Sequence, residues 1–177
     1  MQRPPNIETE RLLLVALLPE DIEALIDRDS ERFAALTSFR FPPDNPHIGD
    51  LAWHLKAIRT DDGHIPWRMR AVIERSSNTV VGSINLKGPP NAAGEVEIGW
   101  GLIDRVRGKG YATEASAAVI KWAQQQPGVS CISATIPDDN DPSQRLAKRL
   151  GLTRTSETRR DLPLWKLDGN PVAKVAR

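Results

Sequence analysis

Cysteine, histidine and net charge are all scarce in this chain. Its 177 residues include one cysteine, three histidines and a formal net charge of +1. The single cysteine, Cys131, excludes an internal disulfide, and its apolar surroundings favour a small side chain in a buried strand over a reactive thiol. The spacing of His47, His54 and His64 fits no metal site, so we expect surface or loop positions for them and no bound metal. A nearly neutral chain has no general attraction for nucleic acid or an anionic membrane, so anion binding has to be local.

Long hydrophobic runs are also absent. No stretch approaches the roughly 18 apolar residues of a membrane helix, and the polar start at Met1–Pro5 lacks the apolar run of a secretion signal. We therefore expect a cytoplasmic protein with no membrane partner. A content of 40% hydrophobic and 27% charged residues is typical of a globular domain. The length predicts a single domain over residues 1–177, with flexible ends at 1–8 and 170–177.

The hydrophobic periodicity predicts a chain of mixed helices and strands. Helices are expected to begin at Pro19, after Ser30 and near Ile48, and two more to cover residues 110–126 and 142–150. The predicted strands cover residues 9–17, 67–75, 80–87, 94–103, 130–136, 153–158 and 164–167. Short turns join the second, third and fourth strands into an antiparallel meander. The strand, helix and strand that follow predict a parallel pair inside a mostly antiparallel sheet.

The most informative segment, Arg105–Thr113, lies between a predicted strand and a predicted helix. Gly108 and Gly110 allow a tight turn and a close approach of the backbone to a ligand. The first N–H groups of the helix have no partner inside it, and the helix dipole places partial positive charge at the same end. Such an end favours an anion, so the segment predicts a site for a ligand that carries phosphates. The basic side chains beside it are Arg105, Arg107 and Lys109.

Three other interpretations of this segment are open. A P-loop requires serine or threonine after its lysine, whereas Gly110 follows Lys109. A dinucleotide fingerprint requires a third glycine where Thr113 stands, and repeated βαβ units where this chain has a meander. A basic loop that begins a helix and binds nothing is the simplest alternative. The preceding strand and the strand–helix–strand context argue against it.

The order of these motifs resembles one family. Arg105–Gly110 has the spacing Arg-x-x-Gly-x-Gly and, followed by Tyr111–Ala115, is similar to the pyrophosphate-binding motif of GNAT acetyltransferases. Upstream, Glu97–Trp100 resembles the strand that precedes this motif in the family. Downstream, Asn140-x-x-Ser143 resembles part of its second conserved region.

The resemblance covers most of the chain, from about Thr9 to Leu152. Gly151 and Leu152 are similar to the end of that second region. The opening Thr9–Leu12, together with Pro19–Asp21, is similar to the ribosomal-protein N-acetyltransferase branch of the family. The central motif is the more specific of these matches.

The resemblance implies the GNAT fold of the α/β (α+β) class and an acetyl-CoA-dependent N-acetyltransferase. The central sheet would be mixed and mostly antiparallel, with helices on both faces and a parallel middle pair, the fourth and fifth strands, that splays apart around acetyl-CoA. The pantetheine arm would lie along Trp100–Ile103 and the pyrophosphate at the backbone of Val106–Ala112. Asn140 would anchor the pantetheine or cap a helix, and Arg145 would meet a CoA phosphate or solvent. The residues expected at coenzyme A are Trp100, Gly101, Leu102, Ile103, Arg105, Val106, Arg107, Gly108, Lys109, Gly110, Tyr111, Ala112, Thr113, Asn140, Ser143 and Arg145.

The resemblance also suggests catalytic roles. Glu97 is the expected general base, with Glu95 on the same face as second candidate and a salt bridge as the alternative role. Burial would raise the pKa of Glu97 and hence its basicity. A main-chain N–H of residues 100–103 would hold the oxyanion. In many relatives a tyrosine seven residues after the asparagine protonates the thiolate, but Ala147 stands there, so Ser143 or water takes that role.

The expected acceptor is a primary amine, and resemblance to the ribosomal-protein branch favours a protein or peptide α-amino group. A small amine, such as a polyamine, amino acid or aminoglycoside, is the alternative. The carboxylates available for a cationic acceptor are Asp44, Asp50, Asp61 and Asp62. Trp53 and Trp67 are the expected aromatic contacts to the acceptor. A non-catalytic acyl-CoA-binding module is a second alternative, favoured by the missing tyrosine. No nucleic-acid partner is expected, and the chain would be a monomer or homodimer.

Overall fold

The computed structural model describes residues 1–42 and 50–168. The strands there are β1 (Ile7–Glu8), β2 (Leu12–Ala16), β3 (Met69–Glu74), β4 (Thr79–Leu86), β5 (Glu95–Leu102), β6 (Cys131–Thr135), β7 (Thr153–Arg159) and β8 (Leu162–Asp168). The helices are α1 (Pro19–Ile26), α2 (Ser30–Thr37), α3 (Leu51–Thr60), α4 (Tyr111–Gln124) and α5 (Asp141–Arg149). Short 3₁₀ turns cover Asp62–Trp67 and Asp104–Val106. Asp44, His47 and the expected flexible end at 170–177 lie outside the described residues.

The strands form one sheet in the order β1-β2-β3-β4-β5-β6-β8-β7. Every neighbouring pair is antiparallel except β5 and β6, which are parallel. The crossover between those two strands is α4, as the strand–helix–strand pattern predicts. The mixed sheet, the meander of β3 to β5 and the parallel pair are therefore confirmed.

The parallel strands separate after three residues. Their ladder joins Glu95–Glu97 to Cys131–Ser133, although β5 continues to Leu102. On its other edge β5 stays paired with β4 as far as Leu102. The sheet therefore opens between β5 and β6 beyond Glu97, which is the splay implied by the family resemblance.

Helices cover both faces of the sheet. On one face α4 packs Ala115 against the same core as Val96 of β5. On the other face α1, α2 and α3 build a second core, in which Ile58 of α3 and Met69 of β3 both lie. Because both faces are covered, every residue of Met69–Ile73 is buried rather than every second one.

Short polar side chains cap α3 and α5. Asp50 caps α3 by accepting a hydrogen bond from the N–H of Trp53 at 3.1 Å. Asn140 caps α5 in the same way, through the N–H of Ser143 at 3.1 Å. At α4 the cap position is Gly110, which has no side chain to offer. The first amides of α4 are therefore not capped by the residue before them.

Residues 1–8, expected to be a flexible end, include β1, and Arg3 pairs with Asp21 at 2.6 Å. Two local expectations from the sequence are wrong. The third strand begins at Met69 rather than 67, because the 3₁₀ turn runs through Trp67. His54, expected at the surface, is only 2% exposed. It lies one helical turn before the buried Ile58 and so shares the inner face of α3.

Candidate active site

The loop between β5 and α4 uses a backbone conformation that favours glycine at two positions. Ile103 and Val106 are buried and fix this loop to the core. Gly108 and Gly110 have φ angles of 78° and 81°, in the left-handed region that is strained for other residues. Among the described residues no atom lies within 4 Å of the place where a Cβ of Gly108 would stand. The outer side of this turn is therefore open to a ligand.

Contacts from β3 and from the turn between β1 and β2 hold the start of α4 in place. The hydroxyl of Tyr111 donates to Glu74 at 2.7 Å, and the guanidinium of Arg11 lies 4.7 Å from the centre of the Tyr111 ring. Arg11 also pairs with Glu114 at 2.6 Å and donates to the carbonyl of Lys109 at 2.9 Å. The glycine turn thus has a fixed position relative to the sheet.

Glu114 explains the motif at the start of the chain. The hydroxyl of Thr9 donates to its carboxylate at 2.6 Å, and the N–H of Arg11 does so at 2.9 Å. Burial alone would raise the pKa of Glu114, but these hydrogen bonds and the charge of Arg11 outweigh burial and lower it. The segment Thr9–Leu12 therefore holds Glu114, which lies in the first turn of α4 next to the glycine turn. Thr9 and Glu114 are 105 residues apart in the sequence, so the motif at the start of the chain does not reveal that they are in contact.

A groove of about 740 Å³ lies between the glycine turn, β5 and α5. All but three of the residues expected at coenzyme A line it. Its charged lining residues are Arg107, Arg145 and Arg149, and no carboxylate lines it among the residues that the structure describes. The groove therefore suits an anionic ligand with a long uncharged part.

Three residues expected at coenzyme A, namely Ile103, Arg105 and Lys109, do not line the groove. Ile103 is a core residue, 2% exposed. Arg105 and Lys109 line a separate cavity of about 160 Å³ together with Glu74. Their expected contact with coenzyme A is not supported by the shape of the groove, because their side chains point to the β3–β4 side of the turn.

Sequence reasoning missed five residues of the groove, namely Ser83, Asn85, Pro142, Leu146 and Arg149. Arg149 follows Arg145 by one helical turn, a spacing that places both on one face of α5. Ser83 and Asn85 come from β4, where two polar residues alternate within an apolar strand. The register pairs Ser83 with Gly101, so both lie on the sheet face opposite to Trp100. The groove therefore reaches through the opening to the α3 side of the sheet.

Ser143 is held at the junction of β5 and α5. Its Oγ accepts a hydrogen bond from the indole N–H of Trp100 at 3.2 Å. Its own backbone N–H is bound to the Asn140 cap. Ala147, where many relatives carry tyrosine, is fully buried in the core. Ser143 is therefore a hydroxyl of fixed orientation in the groove.

Glu97 does not have the environment of a general base. Its carboxylate pairs with Arg159 at 3.0 Å, with Arg160 at 3.1 Å and with Lys87 at 3.3 Å, and it accepts a hydrogen bond from Thr135 at 3.0 Å. Burial would raise the pKa of Glu97, but Arg159, Lys87 and Thr135 lower it overall. The expected rise in the pKa of Glu97 is wrong, because sequence reasoning counted burial and not the cations that accompany it.

The remaining candidates for catalysis and acceptor binding are Glu95, Trp67 and Trp53. Glu95 pairs with Arg159 at 2.6 Å, and its pKa is lowered: burial opposes the shift, while Ser133 and Arg159 outweigh burial. Trp67 packs edge-on against Trp122, with ring centres 5.0 Å apart, in the α4 core. Trp53 is 41% exposed on α3. Neither tryptophan lines the groove.

Comparison with known proteins agrees with this architecture. The family model of the acetyltransferase (GNAT) domain matches residues 11–153. The uncharacterized N-acetyltransferase YjdG of Bacillus subtilis is 34% identical over 148 residues, covering 82% of this chain and 88% of YjdG. An acetyltransferase of the GNAT family from Bacillus anthracis has a similar structure, with a TM-score of 0.61 and 22% identity over 92% of this chain and 96% of that one. RimL, a ribosomal alpha-N-protein acetyltransferase in complex with coenzyme A, has a TM-score of 0.63 and 14% identity over 94% and 99% of the two chains.

The splayed sheet, the groove at the start of α4 and the matching family model together define an acyl-transferring enzyme. The chain belongs to the GNAT acetyltransferase family, and it is an N-acetyltransferase. In residues 1–42 and 50–168, no helix is both long and apolar enough to cross a membrane.

Proposed function

We propose that this enzyme transfers an acetyl group from acetyl-CoA to a primary α-amine, with the N-terminus of a protein or peptide as the leading acceptor. The observation that carries the proposal is the groove. It combines the uncapped amides of α4, three arginines and no carboxylate in its described lining. The complex of RimL with coenzyme A, in a protein of the same fold, supports this donor.

The groove has two parts that fit the two parts of acetyl-CoA. Arg107, Arg145 and the first amides of α4 suit a pyrophosphate, because charge-assisted hydrogen bonds favour phosphate oxygens. The edge of β5 beyond Glu97 faces the opening, where its main-chain groups suit the amides of pantetheine. The thioester would then lie near Trp100 and Ser143.

Two groups of this chain would assist the transfer. As the amine attacks the carbonyl carbon, negative charge develops on the carbonyl oxygen, and an N–H on the open edge of β5 would stabilise it. The thiolate then leaves and takes a proton. Ser143 is the candidate donor: its hydroxyl would pass a proton to the departing sulfur and take one back from water. Trp100 occupies a lone pair of its oxygen and leaves its hydrogen free to point into the groove.

The acceptor amine would lose its proton to water rather than to Glu97. An α-amine has a pKa of about 7.7–8.0, so a large fraction is neutral near pH 7.5, whereas a lysine-like amine at about 10.4 requires a base. Glu97 is engaged by three cations and has a lowered pKa. We assign it the role of fixing the β7–β8 turn to β5.

A polycationic small molecule is the weaker candidate acceptor. Asp50 caps α3, Asp61 accepts from the N–H of Gly63 at 2.9 Å, and neither carboxylate lines the groove. The acidic pocket that a polycation requires is thus unsupported by the described residues.

The test is a comparison of three amines with acetyl-CoA. The acceptors are a lysine-free peptide with a free N-terminus, the same peptide blocked at its N-terminus and carrying one lysine, and spermidine. Thiol release is measured from pH 6.5 to 9.5. We expect the free N-terminus to react fastest, with a rate that rises around pH 8 as the α-amine loses its proton. Faster reaction of the lysine peptide or spermidine would contradict the α-amine proposal.

Ser143→Ala tests the proton donor within the same assay. Because a thiol has a pKa of about 8.5, its thiolate leaves without full assistance, and we expect kcat to fall only about tenfold. Coenzyme A affinity, measured by calorimetry, should stay within about threefold of wild type. An unchanged kcat would remove Ser143 from the mechanism.

A further inference from the structure

A cationic cluster lies on the α3 side of the sheet, outside the groove. Arg68 precedes β3, and its guanidinium lies 4.3 Å from the centre of the Trp53 ring. The ring of His54 packs edge-on to Trp53, with centres 4.9 Å apart. One terminal nitrogen of Arg68 lies 3.1 Å from His64 Nδ1. We call Trp53, His54, His64 and Arg68 the Arg68 cluster.

The Arg68 cluster holds unpaired buried polar atoms. Six buried side-chain nitrogen or oxygen atoms lack a partner within the described residues, and three of them are here: His54 Nδ1, Arg68 Nε and Arg68 Nη1. Arg68 is 6% exposed and His54 is 2% exposed. Each unpaired buried group is costly unless something binds it. A purely structural arginine would leave that cost uncompensated.

The charge of Arg68 is not balanced by a nearby carboxylate in the described residues. Its guanidinium forms no salt bridge to any residue in 1–42 or 50–168, and burial lowers its pKa. Burial and the charge of Arg68 lower the pKa of His54 to about 4, so His54 is neutral. Asp61 lies 3.6 Å from His64 and is largely exposed. The cluster therefore carries a net positive charge that favours an anion.

The cluster is connected to the groove through the pairing of β3 with β4. The N–H of Leu86 donates to the carbonyl of Arg68 at 3.3 Å. The residue before Leu86, Asn85, lines the groove and is paired with Met69, the residue after Arg68. The side-chain amide of Asn85 packs against Gly99 of β5, so closely that a Cβ at Gly99 would lie 2.9 Å from its Oδ1. Arg68 is therefore the chain neighbour of Met69, whose partner across the β3–β4 ladder is the groove residue Asn85.

We propose that Arg68 is a specificity residue that binds a carboxylate of the acceptor. This inference rests on the proposed function, since it concerns the acceptor of that reaction. A guanidinium matches a carboxylate with two parallel N–H groups, and the unpaired Nη1 forms one such edge with the hydrogen of Nη2 that faces it. Nε offers a further N–H on the other side of Nη2, because Cδ separates Nε from Nη1. His54 Nδ1 is the third unpaired polar atom of the cluster. The acceptor is therefore an α-amine with a carboxylate close to it, from either an acidic peptide N-terminus or a free acidic amino acid.

Trp53 acts as the cover of this site. The unpaired atoms of Arg68 each expose less than 1 Å², so a carboxylate reaches them only when the exposed indole moves aside. Stacking on the guanidinium keeps Arg68 in position without using its N–H groups. The expected aromatic contact to substrate at Trp53 is thus retained in this proposal, whereas Trp67 has no part in it.

The experiment compares two peptides that differ in one group. Both have a free α-amine and no lysine, and they carry aspartate or asparagine at the second position; free aspartate is a third acceptor. The values of kcat/KM are measured for wild type, Arg68→Met, Arg68→Lys and the control Arg32→Met. Arg32 is an arginine of the α2 surface that pairs with Glu23 and Asp27. Coenzyme A binding is measured separately for each variant.

Wild type should prefer the aspartate peptide, and Arg68→Met should lose about 10- to 100-fold on it while changing less than threefold on the asparagine peptide. Arg68→Lys should keep part of the preference, and Arg32→Met all of it. If Arg68→Met does not fold, a full preference in Arg68→Lys overturns the proposal, since lysine has no paired N–H edge. Equal loss on both peptides also overturns it. Turnover of free aspartate above the peptides identifies an amino acid as the source of the carboxylate, whereas failure of all acceptors with intact coenzyme A binding contradicts the proposed function instead.

Discussion

The two sides of the opening in the sheet are built in different ways. The proposed donor side is mostly one continuous segment, in which β5, the glycine turn and the start of α4 follow each other in sequence. The proposed acceptor side joins distant elements, since Glu97 of β5 contacts Lys87, Thr135 and Arg159. Its polar groups come from α3, β4, β6 and the β7–β8 turn. A local segment thus forms the proposed donor site, whereas the contacts of the proposed acceptor site require the complete fold.

The difference predicts that a change of backbone will have its largest effect on the donor side. Gly110→Val places a β-branched residue at a φ of 81° beside the first amides of α4. We expect coenzyme A affinity, measured by calorimetry, to fall about 100-fold or more, because the amides turn away from the phosphates. Gly128→Val is the matched control. Its φ is also 81°, and it lies at the other end of α4.

The control separates strain from lost binding. Both substitutions should cost about 1–3 kcal/mol of stability from backbone strain. Only Gly110→Val should also lose coenzyme A, because Gly128 is outside the groove. Equal affinities of the two variants would show that the glycine turn does not bind the phosphates.

The same contrast explains what could be predicted from the sequence. The helix boundaries near Pro19 and Tyr111 and the parallel pair depend on local periodicity and glycine position, and the structure confirms them. The lowered pKa of Glu97 could not be predicted, because its partner Arg159 lies 62 residues further along the chain. The burial of Arg68 and His54 was equally inaccessible, since it depends on how α3 packs on β3.

On the acceptor side, Glu97→Gln should chiefly reduce stability. The ion pairs of a largely buried carboxylate with partly exposed cations are worth roughly 2 kcal/mol after solvent screening. Because the pKa of Glu97 is lowered in the fold, this stability is present at neutral pH and is lost as the pH falls below the ordinary value of 4.5. Denaturation midpoints of the two proteins should therefore converge in acid.

Glu157→Gln is the control for Glu97. Glu157 pairs with Lys166 at 3.0 Å, but its side chain is 59% exposed, so the substitution should cost less than about 1 kcal/mol. Turnover by Glu97→Gln should fall less than about tenfold, with an unchanged pH profile. A loss of about a thousandfold with a shifted profile would restore Glu97 as the general base.

Single charges on the donor side should have a smaller effect. Arg145→Met removes one cation of the groove, and we expect about a fivefold loss of coenzyme A affinity at low salt. The loss should shrink as salt is added, because exposed charges are screened. Arg154→Met, which removes an exposed pair with Asp138 at 2.7 Å, should leave the affinity unchanged. A loss independent of salt would mean that Arg145 acts through packing.

The smallest expected effect comes from the hydrogen bond between Trp100 of β5 and Ser143 of α5. Trp100→Phe keeps an aromatic ring in the core but removes the N–H that binds Ser143 at 3.2 Å. A freely rotating hydroxyl spends less time aimed at the thiolate, so kcat should fall about threefold while coenzyme A affinity stays constant. Trp122→Phe, also partly buried in that core, should have no such effect. In a Ser143→Ala background Trp100→Phe should cost nothing further, since the two residues act as one unit. A threefold loss that persists in that background would assign Trp100 to packing rather than to the orientation of Ser143.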